Sequence, residues 1–410
     1  DHTELYEDTS AQKTFEEIIE PATQEKFKPI TLDDALAGLS RSNWWLKIHL
    51  PAKANQTDNP VLVFYSTWLD DVEVFQKPFS DQLIHTTLGD TVAFASRPIE
   101  SVQLSVPLQL NPEKTNTILV KIQSDGNVNL LMSIISREQL MKDGYWIGVF
   151  VAVLVGFIGG LFIYHLFFAI STRQPGYLYF CIWSFALGAL LVMLSGQGFH
   201  WFWSDRPEFN NRAPFFSLLM SFGFIAFSRE TLTTQTHLPR YDKAGRTIQW
   251  LLGALTVVAV VAPLYFGARL SNFSLLGWVW CLSSSIPIAV RGYRPAWYYL
   301  LSFGLVSVIF INGWMHWMGL SNHSIRLLDL NQTAILMLGA MFAMGLSSFA
   351  LAEHFNILKR KHQEALDLSL RMEQAHASEL EVEVENKTME LRKANRDLTA
   401  ADARKTSFFR

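Results

Sequence analysis

Three sets of residues in this 410-residue chain have the types and spacing to do chemistry, and none of them is a catalytic set. The first is aromatic. Asn43-Trp44-Trp45-Leu46-Lys47 and Tyr65-Ser66-Thr67-Trp68-Leu69-Asp70-Asp71 place indoles beside charges. An exposed indole is a flat platform for a sugar ring or another apolar ligand, and Lys47, Asp70, Asp71 and Arg97 would supply polar contacts. The alternative is structural: both Trp44 and Trp45 are buried, one in the core and one beneath the N-terminal segment, and the charges are solvated. On a strand the two indoles must point to opposite faces. The second set is His165, Asn312 and His316, polar groups inside apolar stretches. At bilayer depth such groups mark a proton relay, a ligand pocket or a hydrogen bond between helices; Asn312 and His316 stand one helical turn apart on one face. The third set is a heptad row near the C-terminus. A Gly-rich phosphate loop, a nucleophile elbow, a metal pair at helical spacing and a nucleotide-binding motif are all missing, so neither a metal nor a cofactor is expected within these residues.

The elements that position these sets fall into three regions. Residues 1–137 show a period of two. Val102, Leu104, Val106, Leu108 and Leu110 alternate with polar residues or Pro107; Ile118, Val120 and Ile122 alternate with Thr117, Leu119 and Lys121, and Val128, Leu130, Met132 and Ile134 repeat the pattern. Trp45–Leu50, Val61–Tyr65 and Val72–Phe75 are further strands, with turns at Asn59-Pro60, Asn111-Pro112 and Asp125-Gly126. Short, half-buried strands between turns predict an all-β sandwich, and Pro107 belongs on an edge strand or at a bulge.

Residues 138–145 read as a linker. Residues 146–351 then hold seven apolar segments: Trp146–Ile170, Tyr177–Leu194, Pro214–Phe227, Ile248–Phe266, Phe273–Val290, Trp297–Met318 and Thr333–Leu351. Each approaches the ~20 residues needed to cross a bilayer; the third reaches that length by extension into Ser228-Arg229-Glu230, and the cytoplasmic loop Thr231–Arg246 beyond it is broken by Pro239. Positive charge sets the orientation. With the N-terminal region outside, the inner loops hold Arg173, Arg229, Arg240, Lys243, Arg246, Arg291, Arg294, Lys359, Arg360 and Lys361, against Arg206, Arg212, Arg269 and Arg326 outside. This places the N-terminal region outside and the C-terminus in the cytoplasm of a multi-pass membrane protein. Cys181 and Cys281 lie inside apolar segments and read as buried small hydrophobes. A net charge of -3 gives no basic balance for nucleic acid. The start at Asp1 carries the expectation of a removed or omitted signal peptide.

Residues 352–405 form a charged helical region. Leu370, Ala377, Val384, Leu391 and Leu398 recur every seven residues, one seam row of a coiled coil. If they are d positions, the a positions are Asp367, Gln374, Glu381, Thr388 and Asn395, all polar, and the coil is weak. Leu366, Leu380 and Ala394 offer part of a competing row. Such a coil can change register; the alternative is a solvated single helix.

Together these stretches resemble a known family. Leu5-Tyr6-Glu7-Asp8-Thr9, the two aromatic stretches and Ser96-Arg97-Pro98-Ile99 resemble the exported sensory domain of bacterial seven-transmembrane receptors with diverse intracellular signalling modules (7TMR-DISM). Pro175–Phe180, Gly196–Trp201, Phe227–Leu232 and His237-Leu238-Pro239 resemble the family's membrane part. The resemblance implies a jelly-roll sandwich similar to carbohydrate-binding modules, a seven-helix bundle and a C-terminal signalling coil. Val384–Leu391 and Ala394–Leu398 resemble the helix that links receptors to output modules, and Ala403–Arg410 resembles the approach to a histidine kinase dimerisation helix, beginning at 406. The resemblance further implies a homodimeric sensor for a carbohydrate or other small ligand. Its kinase domain, absent here, would use ATP and Mg, pass phosphate to a response regulator or phosphotransfer protein in a two-component system, or act by heterodimer formation with another sensor kinase, as members resembling the RetS and LadS receptors do. The competing classes are a transporter with a sugar-binding cap and an intramembrane enzyme.

Overall fold

A computed structural model of the chain describes residues 3–30, 36–51, 58–77, 83–111, 113–262, 264–317 and 332–408. The chain forms two compact units, Asp1–Leu351 and Ala352–Arg410.

The N-terminal region is built from β1 (Thr3–Asp8), β2 (Lys28–Pro29), β3 (Leu36–Leu39), β4 (Asn43–Leu50), β5 (Pro60–Phe64), β6 (Asp71–Gln76), β7 (Ile84–Leu88), β8 (Ser105–Pro107), β9 (Asn116–Gln123), β10 (Asn127–Asn129) and β11 (Met132–Ser136). Two short helices, α1 (Phe15–Ile19) and α2 (Pro21–Gln24), sit between β1 and β2. A six-stranded sheet of order β2-β1-β4-β9-β6-β7 faces a three-stranded sheet of order β11-β5-β8; β10 and β3 form a separate pair. Every pairing between these strands is antiparallel. Leu46, Ile48, Val72, Val74, Val120 and Ile122 from the large sheet meet Leu62, Phe64, Leu104 and Val106 in one buried core. Because side chains alternate along a strand, the odd residues of β4 and β9 leave by the other face. There Trp45, Phe75 and Leu119 are closed over by Ile18 and Phe27, with Phe15 and Tyr6 at the margin.

The period-two stretches survive with shorter strands than the alternation suggests. The run from Val102 to Leu110 narrows to β8, which is an edge strand, so Pro107 costs the sheet no interior bond. The run from Val128 to Ile134 divides into β10 and β11, with a register shift between Val128 and Asn129.

The expected linker at 138–145 is instead the start of α3 (Arg137–Thr172). The Ser136 side chain accepts a hydrogen bond from Gln139 N at 3.1 Å, Glu138 lies in the positive first turn, and Gln139 Nε2 donates to Asp143 Oδ1 at 2.7 Å. An N-cap, a favourable dipole partner and an i,i+4 bond together start the helix well before the apolar segment.

The remaining helices are α4 (Pro175–Leu194), α5 (Gln197–Trp201), α6 (Ala213–Thr231), α7 (Thr234–His237), α8 (Pro239–Val261), α9 (Leu264–Ser271), α10 (Ser274–Val290), α11 (Arg294–Trp317) and α12 (Gln332–Phe408). Among the described residues, five stretches are long and apolar enough to cross a membrane: Arg137–Thr172, Pro175–Leu194, Pro239–Val261, Phe266–Val290 and Met337–Ala401. The loop expected over Thr231–Arg246 is mostly helical. Pro239 opens α8 instead of breaking a loop, since its missing N–H is no loss at the first helical position. α6 lies inside the bundle against α4, α8, α9 and α10. Its Phe224 and Phe227 pack with Trp183, Tyr299 and Phe303, ring centroids 4.5–5.9 Å apart where they touch. Cys181 and Cys281 are buried and free. In the second unit, residues 361–401 of α12 are exposed throughout, Leu370, Val384, Leu391 and Leu398 included.

Trp45 is 1 % exposed and Tyr65 is 57 % exposed. Trp45→Ala should therefore destabilise the sandwich by about 3–5 kcal/mol through lost burial and a cavity. Tyr65→Ala should stay within about 0.5 kcal/mol. Denaturant unfolding of the purified protein, followed by the β-sheet signal, checks both.

Candidate functional site: the joint between sandwich and membrane helices

The candidate site is built from two sandwich loops and one membrane-domain loop. β5 leads into Ser66–Asp70, and β7 leads into a loop through Gly89, Asp90 and a 3-10 turn at Phe94–Ser96. α4 ends at Ser195, and Gly196 then takes φ +72, a left-handed conformation that glycine adopts without steric cost. A Cβ at Gly196 would stand 2.7 Å from Val102 and 3.1 Å from Thr67, so its missing side chain is also what lets the two domains approach.

Three hydrogen bonds cross the joint, each onto a backbone carbonyl. Thr67 Oγ1 donates to Leu194 O at 3.3 Å, Phe94 N to Ser204 O at 3.0 Å, and Asn210 Nδ2 to Asp90 O at 2.8 Å. Trp203 Nε1 fixes the Asn210 amide by donating to its Oδ1 at 2.7 Å. The Arg97 guanidinium lies over Phe94 from the sandwich and Phe199 from the membrane domain, at 4.6 and 5.3 Å, the geometry in which a ring face attracts a cation. Its Nη1 donates to Ser101 O and Val102 O at 2.9 and 2.8 Å. Burial lowers the Arg97 pKa to about 10, with Asp90 opposing, so the group stays charged at neutral pH. Phe94 also stacks on His200 at 4.7 Å. A cavity of about 40 Å³, lined in part by Thr67, Trp68, Asp90, Arg97, Phe199 and Asn210, lies at the centre. Beside it, Val61, Val63, Ile99 and Leu140 pack together, which ties β5 to the first turns of α3.

A second joint lies between the first and last membrane helices. His165 is 1 % exposed. Its Nδ1 sits 2.8 Å from Leu161 O and its Nε2 3.2 Å from Ser348 Oγ. A carbonyl only accepts, so Nδ1 carries the proton and Ser348 donates to Nε2. The ring stacks on Phe180 of α4 at 3.9 Å. This arrangement is an interhelical hydrogen bond. Elsewhere Ser228, Cys281 and Tyr299 link α6, α10 and α11: Ser228 Oγ is 2.5 Å from Tyr299 OH and accepts from Cys281 Sγ at 3.2 Å. Arg229 pairs with Asp242, at 2.9 and 3.2 Å, and donates to Gln249 Oε1 at 2.7 Å; it does not depend on Glu230 for a partner.

The six residues that the sequence marks for ligand binding divide into two groups. Trp44, Trp45 and Lys47 lie on β4. Trp44 is half-buried against the main core, Trp45 is buried beneath α1, and Lys47 Nζ pairs with Glu4 at 3.2 Å. Trp68, Asp70 and Arg97 lie at the joint. Asp70 and Arg97 are not solvated charges: Arg97 is buried, and Asp70 Oδ2 accepts from Asp125 N at 2.6 Å. Asp90, Asn210 and Phe199 join them although nothing in their own residue types singles them out; Gly89-Asp90 and the Gly196–Trp201 motif are the only signals the sequence offers. The side chains of Asn312 and His316 lie outside the described residues. Among the described residues, no group of three His, Cys, Asp or Glu side chains is placed to hold a metal ion.

An outer β-sandwich seated on apolar helices defines a membrane receptor with an extracellular sensory domain, and two family models agree with it. Residues 1–136 match the model described as 7TMR-DISM extracellular 2, and residues 148–354 match 7TM diverse intracellular signalling. The chain belongs to the 7TMR-DISM receptors. No curated protein matches it.

Gly196→Ala should open the joint. Left-handed backbone costs an alanine roughly 1–2 kcal/mol, and the collision with Val102 adds to that. Hydrogen exchange should rise in 89–97 and 194–212 while β4 and β9 stay protected. His165→Ala should loosen α3 against α12, read as faster exchange around Ser348.

Proposed function

We propose that the protein senses an extracytoplasmic signal with its sandwich and relays it through seven membrane-spanning helices to a cytoplasmic histidine kinase of a two-component phosphorelay. The carrying observation is a contiguous set of contacts. β11 runs directly into α3, whose Leu140 packs on β5, and α3 is bonded through His165 to α12. The seven spans are α3, α4, α6, α8, α10, α11 and the first part of α12; α6 falls short in apolar length because its end carries Ser228, Arg229 and Glu230, the first two of which are bonded inside the bundle. The protein resides in the inner membrane with its C-terminus in the cytoplasm.

The row Leu370, Ala377, Val384, Leu391 and Leu398 is exposed along the helix. In this reading two copies bury it against each other as a weak parallel coil, with Asn395 among the polar a positions that leave its register adjustable. A ligand shifts such an equilibrium only by its differential affinity for two states. Contact alone does not demonstrate coupling, so the test reads both ends.

Single cysteines at 370, 377, 384, 391 and 398 should cross-link between copies in native membranes, with 373, 380 and 387 much weaker. Uniform cross-linking along the helix, or none, would sink the coil. If the coupling holds, Gly196→Ala and His165→Ala should each change the relative yields at the two rows by at least about twofold.

A further inference from the structure

Asp90 is 5 % exposed and lines the cavity at the joint, yet its Oδ1 has no hydrogen-bond donor among the described residues. Asp70 Oδ1 is buried and also lacks a donor, while the Asp125 N–H and the Ser124 hydroxyl serve the rest of its carboxyl. The two loops meet at these residues, and each carboxyl acts on the other as a hydrogen-bonding group and as a like charge. The backbone forces this approach: Asp90 N donates to Leu69 O at 2.8 Å, Thr91 Oγ1 donates to Asp70 O at 2.6 Å, and a Cβ on Gly89 would strike Asp70 O. Two ionised carboxylates are acceptors only and repel. One proton supplies the missing donor to both.

We propose that Asp70 and Asp90 bind one proton between them, and that this proton clamps the loop 89–97 of the sandwich onto the membrane domain. Two contacts connect the pair to the joint. The Asp90 carbonyl accepts from Asn210, and Arg97, at the end of the same loop, bridges Phe94 and Phe199. Losing the proton sets Asp70 against Asp90, pushes the loop outward and strains the two crossing bonds that this loop makes, at Phe94 and Asp90. The charged groups facing the pair are few. Asp125 stands beside Asp70 and adds repulsion, while its own charge is shared with Arg41 at 3.5 Å. Arg97 faces Asp90 and favours its ionised form. From the membrane side, the loop carries His200 over Phe94, and Asp205, Arg206, Glu208 and Arg212 within five residues of the neutral Asn210 in sequence. Burial, then the charge of Asp70, holds the Asp90 carboxyl well above the usual carboxylate range, and burial raises Asp70 as well. A raised carboxyl binds its proton more tightly in the closed joint than in the open one. Clamping is therefore fully present in acid and is lost as pH rises through the raised value. The ligand class assigned to the joint is the proton itself, so the receptor would report external acidity. That purpose rests on the receptor reading; the clamp does not.

The test uses the whole protein in lipid nanodiscs. Infrared difference spectra between acid and alkaline pH should show a protonated-carboxyl band that titrates above the ordinary aspartate range and disappears in both Asp90→Asn and Asp70→Asn. Spin labels at Thr87→Cys and Glu208→Cys should move apart as pH rises. With Asp90→Asn, whose amide keeps a donor toward Asp70, they should stay at the acid distance at every pH. Absence of the band, or identical pH profiles in the parent and Asp90→Asn, would overturn the proposal. Neither result touches cross-linking of the coil, so failure of the clamp and failure of the relay are read separately.

Discussion

The crossing hydrogen bonds at Leu194, Ser204 and Asp90 decide where the sandwich stands, because all three end on main-chain carbonyls. A side chain can swing away from a partner; a carbonyl at a helix end or in a pinned loop cannot. Leu194 O belongs to the last turn of α4, where carbonyls lack intrahelical donors, and Thr67 satisfies one of them. The sandwich is thus used to finish a membrane helix. Gly196 then turns the chain at once, which keeps the carbonyl close enough to be reached.

The bundle below is held by different forces. Lipid tails are as apolar as leucine, so helices associate there through close packing and a few polar bonds. The ring cluster around Phe224 supplies the first, and the Ser228–Tyr299–Cys281 and His165–Ser348 contacts supply the second. Arg229 and Asp242 extend this at the end of α6, where Thr234 Oγ1 also donates to Asp242 Oδ1 at 2.8 Å. An ion pair placed there fixes α8 beside α6, with Asp242 buried and Arg229 largely covered.

How far the sequence reveals all this depends on how local the signal is. β9 is legible because it is central: Ile118, Val120 and Ile122 all enter one core. β7 is not, because its His85, Thr86 and Thr87 have little to bury on an edge. The five stretches long and apolar enough to cross a membrane are legible because each needs only its own composition, whereas their ends shift where caps and prolines rule, at Ser136 and Pro239. The joint is half visible. Trp68, Asp70 and Arg97 stand out as types, but that Asp90 lies against Asp70 depends on two loops about twenty residues apart being drawn together by Thr91 and Gly89. Such non-local placement leaves no period to read. Strand alternation is enough to set Trp44 and Trp45 on opposite faces, but the cover over Trp45 comes from α1, whose five residues are too short to announce themselves.

α12 is a single helix from Gln332 to Phe408. Each residue of an α-helix advances its azimuth by about 100°. Inserting one residue within its exposed stretch, residues 361–401, therefore turns every later side chain of that stretch to a new bearing, while inserting seven nearly restores the old one. That stretch has an angular phase. Leu370, Ala377, Val384, Leu391 and Leu398 keep one bearing only because the count between neighbours is seven, so the length of a segment here carries information that its side chains alone do not.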